Sequence, residues 1–188
     1  MKTNAGSLKK GEFIRYQGDI WQIQKADFYS PGKGSALMKA RIKNIITAKN
    51  IEYAFKSNED VDVLDVECLE MQYLYKDNEL LYFMNPRTYN QYTLLIGVVG
   101  EAAKFMKEGN SYFVYVHDEK PLTMRPALSV KLKIIETEDA VKGDTVSGAK
   151  KSAKVETGVM VMVPIFCKIG DTITVNPETG DYGERVKG

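Results

Sequence analysis

Pro31-Gly32-Lys33-Gly34 is the stretch of this sequence with the clearest chemical potential. Pro31 fixes its own φ and drives Ser30 toward extended backbone. Gly32 and Gly34 take away side-chain bulk on both sides of Lys33 and permit positive φ. The expected result is a narrow tip from which one long amine projects. An exposed lysine has an ordinary pKa of about 10.4, so this amine would be charged at neutral pH. Such a tip can carry a cation into a confined space lined by phosphate. Three other readings compete. The first is a plain hairpin connection with a solvated lysine. The second is a nucleotide-binding loop, which needs glycine, four residues, Gly-Lys and then Ser or Thr directly. Here Asp27 stands at the first glycine position, Gly34 follows the lysine, and a strand pattern follows the loop. The third is a Schiff-base lysine, which requires a desolvated pocket that a glycine-flanked hairpin tip does not offer.

Other reactive groups are sparse. Cys68 and Cys167 are about a hundred residues apart, no CxxC pair exists, and His117 is the single histidine. That spacing argues against a zinc site, and both thiols are expected reduced and buried. The acid pairs Asp118/Glu119 and Glu138/Asp139 fall in turn-like sequence and read as solvated. No nucleophile elbow or catalytic constellation is visible, so an enzyme is not expected. The chain has 188 residues, 44% hydrophobic and 27% charged, with a net charge of +1. This is globular composition. Residues 1–56 hold eleven Lys/Arg against four acids, a balance of +7, which leaves −6 on the rest. A basic end on a neutral protein points to a polyanion contact there. The longest apolar stretch, Leu94 to Val99, is too short to span a bilayer, and no signal-peptide core follows the N-terminus. A cytoplasmic protein without a membrane partner is expected.

The elements that must position the lysine are strands. Glu12 to Tyr16 and Ile20 to Ala26 alternate polar and apolar residues around the turn Gln17-Gly18-Asp19. Ala36 to Ile42 and Ile51 to Phe55 continue the pattern, which gives about five short strands and an SH3-like barrel. Ser57 to Asp65 is acidic and polar at its start and marks a boundary. Two hairpins follow: Glu70 to Tyr75 with Leu80 to Met84, and Ser111 to Val116 with Leu122 to Met124. Between them Val98, Ala102, Phe105 and Met106 share one helical face, with Gly109 as a cap. After Arg125-Pro126-Ala127 come the strand Val130 to Ile134, a polar loop from Lys142 to Lys154, and strands Gly158 to Phe166, Thr172 to Val175 and Tyr182 to Val186. Strands with one interposed helix have the layout of an OB-type barrel. The fold expected is therefore all-β, an SH3-like (KOW-like) barrel followed by two OB-fold barrels, elongated or L-shaped. The expected domains are 1–64, 65–127 and 128–188, and three such units in a row would span roughly 80 Å.

Taken in order and spacing, these segments resemble one family, bacterial translation elongation factor P. The resemblance rests on Asp27-Phe28 leading to Pro31-Gly32-Lys33-Gly34 and Ala36, Phe55-Lys56-Ser57, Tyr73-Leu74-Tyr75, Phe83-Met84-Asn85, Lys142-Gly143-Asp144-Thr145, Val163-Pro164-Ile165-Phe166, Ile169-Gly170 and the tail Gly180-Asp181-Tyr182 to Arg185-Val186. It covers the whole chain. The related factor of archaea and eukaryotes typically has two domains, and the third unit here separates the chain from it. The bacterial elongation factor P-like protein usually lacks the Pro-Gly-Lys-Gly tip.

The resemblance implies a factor that binds both subunits of the ribosome, between the peptidyl-tRNA and exit-tRNA sites. It would stimulate peptide-bond formation and relieve stalling at consecutive prolines. Lys33 would reach the acceptor end of the peptidyl-tRNA, positioned by Pro31, Gly32 and Gly34. In many family members that lysine is extended covalently, which implies a modifying enzyme acting on Lys33 and no other cofactor. Many members have a basic residue before the proline, where this chain has Ser30. Tyr182 and Arg185 match C-terminal positions that contact tRNA or ribosome. A monomer is expected. Two other classes discriminate cleanly from this reading: a general single-stranded RNA-binding module, which would bind bare RNA as tightly as ribosomes, and an enzyme.

Overall fold

In the computed structural model, residues 1–32, 34–138 and 149–186 are described. The period-two segments become strands of three antiparallel sheets. The first holds β1 (Lys2–Asn4), β2 (Phe13–Tyr16), β3 (Asp19–Tyr29), β4 (Leu37–Asn44), β5 (Asn50–Lys56) and β6 (Asp60–Leu64). Their order is β1-β6-β2-β3-β4-β5. A 3₁₀ turn, Ala5–Ser7, lies against β4 and β5 and helps to cover the open side. Ile14, Ile23, Ile42 and Phe55 are fully buried among Leu8, Trp21, Met38 and Val61. Each such side chain contributes about 1.5–3 kcal/mol relative to exposure.

The second sheet holds β7 (Glu67–Lys76), β8 (Leu80–Met84), β9 (Gln91–Leu95), β10 (Ser111–His117) and β11 (Lys120–Met124), in the order β11-β10-β7-β8-β9. Its two edges, β9 and β11, come back into contact, so the sheet curls into a barrel. The third sheet holds β12 (Val130–Thr137), β13 (Lys150–Val155), β14 (Met160–Pro164), β15 (Thr172–Val175) and β16 (Tyr182–Arg185), in the order β14-β13-β12-β15-β16. Here too the edge strands β14 and β16 approach each other.

Four expectations change. The first sheet has six strands where about five were expected. Asp60–Leu64, within the acidic stretch expected to end the unit, is β6 and pairs with both β1 and β2. Asp60 and Asp62 face outward while Val61 and Leu64 are buried. The polar loop expected from Lys142 to Lys154 ends earlier, because Lys150–Val155 forms β13 with Ala153 and Val155 fully buried. Lys142-Gly143-Asp144-Thr145 and Asp139 lie outside the described residues. The helix expected around Val98–Met106 is a single α-turn, α1 (Ile96–Val99), followed by a 3₁₀ stretch, Gly100–Phe105. Gly100, at φ +71, interrupts regular α geometry. Finally, Cys68 is exposed on β7, while Cys167 is buried as expected.

Two joints connect the sheets. Phe13, Ile45 and Leu64 of the first pack with Tyr115 and Leu122 of the second, and the Phe13 and Tyr115 rings meet edge-on at 5.0 Å. His117 Nδ1 lies 2.7 Å from the Asp65 carbonyl across the same joint. At the other joint Phe105 leaves the 3₁₀ stretch and enters the core of the third sheet, while Ala102 and Met106 stay in the second. Lys107 and Glu156 form an ion pair at 2.8 Å beside it.

Candidate nucleic-acid interface

β3 and β4 form a long antiparallel ribbon that pairs without a break from Lys25 opposite Arg41 to Tyr29 opposite Leu37, and β5 flanks β4 along the same stretch, from Glu52 opposite Arg41 to Lys56 opposite Leu37. The loop 30–36 caps this ribbon. The β5 edge secures its base, where the Ser57 N–H donates to the Ala36 carbonyl at 2.9 Å. Gly6 lies under the same base. A Cβ on Gly6 would sit 3.1 Å from the Ser57 carbonyl and 3.5 Å from the Phe28 ring, so a larger residue would push the Ser57 carbonyl back by a few tenths of an ångström. Phe28 therefore covers Gly6 while remaining 57% exposed.

Of the expected loop residues, Pro31 is half-buried and Gly32 is exposed with nothing within 4 Å of where a Cβ would stand. Gly34 adopts φ +106, a region that side-chain-bearing residues avoid. Lys33 lies outside the described residues. Around the loop the basic character read from the sequence resolves into one sheet face. Lys25, Lys39, Arg41 and Lys56 share it with Asp27 and Glu52, because paired residues on adjacent strands point the same way. Lys25 pairs with Asp27 at 2.6 Å and Arg41 with Glu52 at 2.8 Å. The face is concave, with a groove of about 440 Å³ lined by these four residues, Lys39 and Tyr53.

Tyr182 and Arg185 lie on β16, in the third sheet, so the structure does not bring them to the lysine loop. Tyr182 packs on the third core beside Cys167. Burial first, and the neighbouring thiol second, push the Tyr182 hydroxyl above its usual range. Burial likewise raises the Cys167 thiol, which leaves no ready thiolate there. The Arg185 guanidinium lies over the Phe166 ring at 5.4 Å and reaches Asp171 at 3.5 Å. Asp171 accepts the Lys168 N–H at 2.9 Å. That bond, with Arg185 assisting, holds its carboxyl below the usual carboxylate range.

Among the described residues no three His, Cys, Asp or Glu side chains are grouped to hold a metal, and no helix is long and apolar enough to cross a membrane. Asp118 and Glu119 sit in the exposed turn between β10 and β11. The arrangement presents a cluster of cations on one sheet face, which suits it to a polyanion. Sequence reasoning missed the pairing of Tyr29 with Lys39, whose ammonium lies 4.6 Å from the ring centroid. The period-two alternation of Lys25, Asp27 and Tyr29 was the available signal.

Three family models match the chain. They are described as the elongation factor P (EF-P) KOW-like domain, over residues 4–61, the elongation factor P (EF-P) OB domain, over 66–124, and elongation factor P, C-terminal, over 130–185. The elongation factor P of Caldicellulosiruptor saccharolyticus is 41% identical over 184 residues, 98% of this chain and 100% of that protein. The elongation factor P of Magnetococcus marinus is 42% identical over 181 residues, 96% of this chain and 97% of that protein. Among solved structures, eukaryotic translation initiation factor 5A from Methanococcus jannaschii superposes with a TM-score of 0.54 at 21% identity. It covers 66% of this chain and 92% of its own, a likeness of fold.

Proposed function

The chain belongs to the elongation factor P family, a translation elongation factor and not an enzyme, and from that premise we propose that it binds the ribosome between the peptidyl-tRNA and exit-tRNA sites and relieves stalling at consecutive prolines. Both ribosomal subunits and the peptidyl-tRNA are its partners in this reading. The protein acts as a monomer of three units, residues 1–64, 65–127 and 128–188. Lys33, with or without a covalent extension added by a modifying enzyme, meets the acceptor end of the peptidyl-tRNA. The ribosome performs the chemistry. Proline's ring leaves the reacting groups in unproductive poses, and the amine of Lys33 holds the tRNA terminus in alignment, a positioning effect.

The observation that carries this reading is the seven-residue loop on the β3–β4 ribbon, whose Pro31, Gly32 and Gly34 keep the tip slim. The cations of the adjoining face supply salt-dependent affinity for RNA. Tyr182 and Arg185 make a second contact with tRNA or ribosome. The test is Lys33→Ala in a translation assay on a template with consecutive prolines. Relief of stalling should vanish while the thermal unfolding midpoint stays where it is. Full relief from the alanine protein would sink the mechanism.

A further inference from the structure

Tyr29 is the last residue of β3, directly before the loop, and is 49% exposed. Strand pairing fixes where it points. Tyr29 stands opposite Leu37, and Asp27 stands opposite Lys39, so Tyr29 and Lys39 are diagonal neighbours on one face of the ribbon. The Lys39 ammonium is 4.6 Å from the ring centroid, within cation–π range. Lys25 and Arg41, the other cations of this part of the face, are engaged by Asp27 and Glu52. Among the described residues Lys39 makes no ion pair. The result is one half-exposed aromatic ring with an ammonium over it, within a face of net positive charge.

We propose that Tyr29 and Lys39 form a stacking platform for single-stranded RNA, with an unpaired base on the exposed part of the Tyr29 ring and a neighbouring phosphate at the Lys39 ammonium. This rests on the ribosomal reading above and extends it to a named subsite. Base-on-aromatic stacking accepts any base, because every base has a π-face. Three residues lie between Tyr29 and Lys33, so their Cα atoms are at most about 14 Å apart. An RNA end that meets Lys33 is therefore within reach of the platform. An apolar peptide is the wrong occupant. A single ring ringed by charges offers no contiguous apolar patch for one. Tyr29 is a positioning residue in this scheme: it holds the strand that Lys33 engages.

The experiment compares affinity of the full chain for two ribosome preparations, one with peptidyl-tRNA in its site and a vacant exit site, the other without tRNA. The variants are Tyr29→Leu, which keeps apolar bulk without a ring, and Tyr29→Phe, which keeps the ring. Tyr29→Leu should lose about five- to hundredfold in affinity for the tRNA-loaded ribosome, the range that one stacked base commands. Its affinity for the tRNA-free ribosome should stay within about twofold, and Tyr29→Phe should match the parent on both. Lys39→Met should lower the slope of log affinity against log salt by about one. A parent that prefers loaded ribosomes beside a Tyr29→Leu protein that prefers them equally overturns the platform alone. A Tyr29→Phe protein as weak as Tyr29→Leu overturns it too, since the ring would then not be what binds. A parent with no preference for tRNA-loaded ribosomes removes the ribosomal reading and the platform with it.

Discussion

At the lysine loop the chain is secured at its base, by the Ser57–Ala36 backbone bond and the seat of Phe28 on Gly6, and the glycines beyond are surrounded by open space. In the third sheet the contacts run all along β16. Tyr182 packs beside Cys167, Arg185 lies over Phe166 and reaches Asp171, and the Glu184 N–H donates to Thr174 Oγ1 at 2.9 Å. Both regions carry residues proposed to touch RNA or ribosome, yet one is built to be slim and the other to be braced. The lesson concerns cost. A side chain that must enter a crevice needs neighbours without bulk, and stability is sacrificed there. A side chain that presents a fixed surface can be locked by its neighbours, so substitutions near it should be felt in stability first.

Glycine substitutions separate the two designs most sharply. Gly183 lies where β16 carries an extra residue opposite Thr174, a bulge in the pairing with β15. A Cβ there would stand 2.6 Å from Thr174 Oγ1, an atom already held by the Glu184 N–H. Gly183→Ala should therefore destabilise the protein by about 1–3 kcal/mol, the usual range for forced overpacking. Gly32→Ala meets nothing within 4 Å and should stay within about 0.5 kcal/mol of the parent. Urea unfolding of the two variants decides the matter. Equal losses would mean that the two regions are not built differently.

Gly34 gives the next largest effect, and it should appear in function more than in stability. Its φ of +106 excludes a branched side chain on backbone grounds, while the space around it is open apart from Pro31 at 3.9 Å. Gly34→Val costs roughly 1–2 kcal/mol if the loop keeps its shape. Among the described residues the loop is tied down at its base, so it relaxes instead, and the urea midpoint should fall less than for Gly183→Ala. Relief of proline stalling should fall several-fold as the tip changes direction. A Gly34→Val protein with parental relief would show that the tip's backbone shape is dispensable.

The same contrast marks what the sequence could and could not convey. Pro31, Gly32 and Gly34 act through local backbone rules, so their loop was legible from four letters. Most strands were legible from alternation. β6 and β13 were obscured because their outward residues are charged: Asp60 and Asp62 in one, Lys150 and Lys154 in the other. Phe105 shares a helical face with Ala102 and Met106 in sequence, but spacing cannot say which of two cores an apolar side chain will enter. Tyr29 and Lys39 are ten residues apart and meet only through the register of β3 on β4. Tyr182 was legible as a strand residue, and its seat beside Cys167 depends on long-range packing.

The smallest effect tests the bracing of Arg185 directly. Asp171 takes the Lys168 N–H at 2.9 Å and faces Arg185 at 3.5 Å, and these contacts hold its carboxyl below the usual range against a burial effect that opposes them. An unfolded aspartate titrates near ~3.9. A folded value lower than that adds stability above about pH 4, and the addition disappears as pH falls through the folded value. Asp171→Asn keeps an oxygen that can accept the Lys168 N–H and removes the charge. It should be less stable than the parent at pH 7 by about 0.2–1 kcal/mol, as for other partly exposed pairs, and the gap should close as pH falls from about 4 through the folded value. Asp77 and Glu156 are also lowered, so acid weakens parent and variant alike, and only their difference isolates Asp171. Unfolding midpoints of both proteins across that range supply the difference. A gap that stays constant with pH would mean that the charge of Asp171 adds no stability through Lys168 or Arg185. The C-terminal end would then be no more braced at its arginine than the loop is at its glycines.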